Sequence, residues 1–221
     1  PARLPVLAGI AEGLRLVRQE RRLLATLIVT VIYNVFAWPF TSMVPVIAQQ
    51  HLGLDAAGTG IISSVDGLGA FIGALLIGAI VTPRFYGRVY IGGIITYSVM
   101  LTAFALMPSP LPAGAALLAE GIGGSGYSIM QTTLVYLYAP PEMRSRMLGL
   151  LSVCIGVGPI GFVHLGLLAN AIGAQWATVV TGIEGLLALA LTWRWWRVLL
   201  PTLRLTPAPA PSRPIPPPAR P

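Results

Sequence analysis

Four ionisable side chains stand inside stretches that are otherwise apolar: Asp66 in SSVDGLGAF, Glu120 in LLAEGIGG, His164 in GFVHLGLL and Glu184 in TGIEGLLA. Three carboxyl groups and one imidazole without a neighbouring Arg can take up and release protons or hold a small cation. Each carboxyl group has a plainer alternative, a neutral acid hydrogen-bonded to the next helix. His164 can equally be a packing histidine. Tyr33 and Asn34 add hydroxyl and amide groups in the first apolar run, and Gln131, Thr132 and Thr133 form a polar patch in the fourth. No Ser–His–Asp arrangement, HExxH, paired-cysteine motif or GxxxxGK[ST] loop is present, so the chain reads as neither an enzyme nor an ATP-driven pump. With Cys154 as the one cysteine, no disulfide or cysteine metal cluster can form within the chain, and no cofactor is expected.

These groups need elements to hold them, and composition says which. Hydrophobic residues make up 55% of the 221 and charged residues 10%, with a mean hydropathy of +0.79. Such a globule could not cover its surface with polar groups, since soluble domains carry about 25% charged residues. The expected class is an all-α membrane protein in contact with a lipid bilayer. Apolar runs at about 23–49, 57–81, 89–107, 113–138, 147–171 and 176–196 each reach the roughly 20 residues that cross about 30 Å of hydrocarbon. Short links make consecutive spans antiparallel. At about 1.5 Å per residue, Asp66, Tyr33 and Asn34 fall near the midplane, and Glu120, His164 and Glu184 roughly 10–12 Å below the outer surface.

All fourteen basic residues are Arg. They occupy the segment before the first run, the second and fourth links, and the stretch from Arg194 onward; links one, three and five hold none. Under the positive-inside rule that side is the cytoplasm, with both termini there. Nucleic-acid binding is not expected, because the charges form no face of a polar domain. Residues 7–18 place Leu7, Ile10, Leu14 and Val17 at helical spacing, as in an amphipathic helix on the membrane surface or a helix capping the bundle. The expected division is a juxtamembrane segment (1–22), a six-helix bundle (23–197) and a disordered proline-rich tail (198–221). Pro39, Pro45 and Pro159 are expected to kink their helices. Gly69/Gly73, Ala74/Gly78, Ala119/Gly123, Gly121/Ser125 and Gly124/Ser128 form small-residue pairs that let helices approach closely in lipid.

Three motifs in order, EGLRLVRQERRLLATLIV (12–29), GAIVTPRFYGRV (78–89) and APPEMRSRMLGLLSVCIGVGPIG (139–161), resemble the C-terminal half of the major facilitator superfamily, closest to its siderophore-exporter-like and drug-efflux-like members. In the middle motif Gly78, Gly87 and Arg88 fit the family's loop at a stretched spacing, and its acidic position is absent, with Thr82 and Pro83 in its neighbourhood. The resemblance implies one six-helix half of a two-bundle secondary transporter of the inner membrane that rocks about a central site. Spans one, two, four and five would line the cavity, three and six would be peripheral, and Arg84, Arg88, Arg144 and Arg146 would lie at the inner gate. Asp66 or Glu120 would exchange a proton for a small organic substrate during export. The partner would be an N-terminal half or a second copy; the competing reading is a truncated, non-transporting remnant or assembly partner.

Overall fold

The computed structural model describes residues 17–201, and every regular element among them is helical. The expected surface helix over 7–18 and the tail fall outside them, apart from residues 17–18 and 198–201. Leu199 is buried against Gly87, so the packed bundle runs past residue 197, where the sequence places the start of the tail.

The first rod is broken. It runs as α1 (Arg21–Ile32), a π-helical turn (Tyr33–Ala37), a 3₁₀ turn (Trp38–Ser42) and α2 (Val44–Gln50). Pro39 and Pro45 have no N–H to donate, so the helical ladder is interrupted where the sequence predicts. α3 (Ala56–Ile80) is capped by Asp55, whose carboxylate accepts from Gly58 N at 2.7 Å. α4 (Tyr86–Leu106) and α5 (Pro110–Tyr138) follow. The fifth rod is α6 (Arg144–Ile155) and α7 (Gly158–Ile172), broken just before Pro159. Gly173, at φ 85°, turns the chain into α8 (Ala174–Leu191), and a short α9 (Trp193–Trp196) and a 3₁₀ turn (Arg197–Leu199) follow.

Five helical stretches are long and apolar enough to cross a membrane: Arg21–Ser42, Ala56–Ile80, Pro83–Leu106, Pro141–Ile172 and Ala174–Leu191. The sequence marks six runs, and α5, which carries the fourth, is not among these five stretches. At 29 residues it is the longest helix, but it is not apolar enough to count among them. The reason is its position: α5 packs along α3 on one side and α4 on the other, so its Gly-, Ser- and Glu-bearing middle is enclosed by protein. A helix sheltered by its neighbours can carry polar groups that lipid would exclude.

Close approach along α5 depends on absent side chains. A Cβ on Gly69 would overlap the Leu118 carbonyl, and one on Gly73 would overlap Ser125 Oγ. On the other side a Cβ on Gly93 would lie 2.6 Å from Gly123 O. Gly78 meets nothing, so the Ala74/Gly78 pair plays no part in packing this bundle.

The arginines gather at one end. Arg22 lies over the Tyr138 ring, Arg88 Nε donates to Leu200 O at 3.1 Å, and Arg144 Nε donates to Tyr136 O at 3.1 Å. At the opposite end links one and five meet, with Gln175 Nε2 3.3 Å from His51 Nε2.

Candidate functional site

Two groups of polar side chains occupy the interior, and a third pair sits towards its edge. The first group joins α1, α4 and α5. Tyr90 donates to Thr26 O at 2.9 Å and lies 3.1 Å from Thr30 Oγ1. Gln131 Nε2 reaches Thr30 Oγ1 at 3.0 Å and Tyr127 Oη at 2.5 Å, and Asn34 Nδ2 donates to Thr30 O at 2.9 Å. Tyr127 stacks on Tyr33 at 3.7 Å and on Tyr90 at 5.3 Å. Tyr33, Asn34 and Gln131, which the sequence singles out, are therefore brought together and buried. Thr30, Tyr90, Tyr97 and Tyr127 are not singled out there. The heptad spacing of Tyr90 and Tyr97, and the i,i+4 spacing of Tyr127 and Gln131, are the signals that could have found them. α4 thus supplies core polar groups, although the resemblance puts the third span at the periphery.

Removing one hydroxyl tests this network. Tyr127→Phe keeps the stacking but deprives Gln131 of a partner, and is expected to cost about 1–3 kcal/mol. Thermal unfolding in detergent should show the loss; an unchanged Tm would mean that the network does not hold the three helices together.

The second group is acidic. Glu120 is fully buried, and neither carboxylate oxygen makes a hydrogen bond of ordinary geometry. Tyr33, Tyr97 and Asp66 are its polar neighbours. Asp66 is only half-buried, and its backbone seats against α5: a Cβ on Gly121 would overlap Asp66 O and lie 2.9 Å from Asp66 Oδ1. The α3–α5 glycine contact is what sets the two acids side by side. A carboxyl enclosed without partners has nothing around it to compensate a charge.

His164 lies apart from both groups. Its Nε2 is 2.7 Å from Glu184 Oε2, linking α7 to α8, with each side chain about one-third exposed. Phe36 on the broken first rod meets the imidazole edge-on at 6.2 Å. The pairing gives Glu184 a partner that the resemblance does not foresee. In a double-mutant cycle, His164→Ala and Glu184→Ala should couple by about 0.5–1.5 kcal/mol, as interhelical hydrogen bonds do in membranes. Additive effects on Tm would show that the contact carries no stability.

The loop residues sit at the arginine-bearing end. Arg84 and Arg88 lie over Phe85 at 4.6 and 5.7 Å, and Gly87 is buried against Leu199. Arg144 stacks on Tyr136 at 4.0 Å, and Arg146 Nη1 donates to Met143 Sδ at 3.4 Å. Gly78 is exposed. Arg144 meets a C-terminal carbonyl of α5, where cations are favoured by the helix dipole.

No curated protein matches the chain. The sequence of residues 24–221 matches the Major Facilitator Superfamily, and together with the all-helical fold and its five apolar spans this establishes that the chain is a multi-pass membrane protein belonging to that transporter family.

Proposed function

We propose that the chain is one six-span half of a proton-coupled secondary transporter that exports small organic molecules across the inner membrane, with both termini cytoplasmic. The observation that carries the coupling is Glu120: a fully enclosed, unpartnered carboxyl beside a second acid, in a family of transporters. In this reading α5 crosses with the five apolar stretches, because Glu120, Gly121, Gly123 and Ser125 in its middle are buried against its neighbours. Glu120 takes a proton when the site faces one side and yields it to the other side as the bundle rocks. Asp66, half-buried on α3, connects Glu120 to the exposed face. Export is taken from the likeness to exporter-type members.

The need for a second bundle has its own support. Only 17% of the α3 window and 22% of the α6–α7 window are buried, against 67% for the first rod. The outward face of α3 carries Gly60, Ser64, Gly67, Ala74 and Gly78 at helical spacing, where a Cβ on any of the three glycines would meet nothing within 4 Å. Small residues facing outward suit a second helical bundle better than lipid tails. The same face fits the competing reading, an assembly partner that does not itself transport.

Proteoliposomes separate the two. With an imposed pH gradient, the chain assembled with a six-helix partner or a second copy should drive substrate-dependent proton movement. Assembly without any proton movement would leave the non-transporting reading standing.

A further inference from the structure

The arginine-bearing end contains a groove of about 1080 Å³ between the start of α1, the start of α4 and the residues around α9. Arg18, Arg21, Arg88, Arg194 and Arg197 all line it, and all five are exposed. No carboxylate lines the groove, and among the described residues none forms an ion pair with any of the five. Five guanidinium groups converging without a counter-charge repel one another, so the arrangement favours an anion. Their planar forks match phosphate oxygens two at a time.

A second feature fixes what kind of phosphate it is. Trp193 and Trp195 line the groove and are 45% and 52% exposed, the position of indoles at a membrane–water interface. Trp196 backs Trp193 from within: it is buried, donates from Nε1 to Leu189 O at 2.7 Å, and meets Trp193 edge-on at 4.5 Å. Leu24, Val198 and Leu200 give the same groove an apolar floor. A free phosphate has no use for indoles or an aliphatic floor; a phospholipid uses both.

We propose that this groove is a binding site for the headgroup of an anionic phospholipid carrying more than one phosphate, such as diphosphatidylglycerol. The arginines hold the phosphates, and the indoles and apolar floor receive the glycerol and upper acyl segments. Basic pockets between membrane helices bind such headgroups by the same physics. The site stands apart from the acids on α3 and α5 and does not depend on the coupling reading.

Native mass spectrometry of the full chain, extracted from phosphatidylcholine vesicles containing a minor fraction of diphosphatidylglycerol, reads retention directly. The wild type should keep a diphosphatidylglycerol molecule. The double variant Arg194→Gln/Arg197→Gln should retain roughly twenty-fivefold less, because each cation near a lipid surface contributes about fivefold. Arg194→Lys/Arg197→Lys, which keeps the charge, should lie between the two. Arg144→Gln, at the same end but outside the groove, should change nothing. Equal loss in Arg144→Gln would mean general charge attraction and would overturn the proposal. Displacement by millimolar inorganic phosphate alone would also overturn it, in favour of a free-anion site. Unchanged circular dichroism of the variants would exclude misfolding as the cause of lost retention.

Discussion

Glu120→Gln is expected to abolish proton-coupled transport while leaving the bundle as stable as the wild type or more so. The two halves of that expectation come from one observation. The Glu120 carboxyl is enclosed and makes no hydrogen bond, so the fold loses nothing when the acid becomes an amide of the same shape. A buried acid that stabilises nothing is characteristic of a site kept for function at the expense of stability. Gln cannot exchange a proton, and positioned proton transfer accounts for about 10²–10⁴-fold in rate. Substrate-driven proton flux in proteoliposomes should therefore fall by at least about a hundredfold, with Tm unchanged or raised. Asp66→Asn should slow flux less, because Asp66 is half-exposed and is not the enclosed group. Normal flux in Glu120→Gln would remove the carboxyl from the mechanism. Retained binding with lost flux would locate the defect in coupling.

Gly93→Val should be strongly damaging to the bundle, while Gly92→Val, one residue away, should be nearly silent. A Cβ on Gly93 would lie 2.6 Å from both Gly123 O and Tyr127 N, and both belong to helix backbone that cannot turn aside. α4 and α5 would have to separate, which opens the tyrosine network between them. Overpacking costs about 1–3 kcal/mol even where side chains can adjust, and more where they cannot. A loss of about 3 kcal/mol or more is expected. On Gly92 a Cβ meets nothing within 4 Å, so Val there points outward. Paired thermal melts of the two variants decide the point: equal Tm values would mean that α4 and α5 do not approach as closely as described. Lost network contacts in Gly93→Val should also appear as faster proteolysis of the 107–110 link.

The sequence by itself determined that this is a helical membrane protein whose first and fifth rods are interrupted near proline. Hydropathy and length dictate rods because unpaired backbone cannot stand in hydrocarbon. Pro39, Pro45 and Pro159 break them for want of an N–H, and the placement of Arg is legible as a string of letters. Tertiary structure decided which polar groups meet. His164 and Glu184 are twenty positions apart on different rods and touch; Asp66 and Glu120 are more than fifty apart and share a site. It also decided that Glu120, and not Asp66, is the enclosed acid, and that the polar middle of α5 is sheltered by α3 and α4. The reason is the solvent. Around a soluble helix, the apolar stripe announces the buried face. In lipid both faces can be equally apolar, so the rotation of each rod is set by close fit at small residues such as Gly93, Gly121 and Gly69. That fit is a property of two surfaces at once, and no single stretch of sequence contains it.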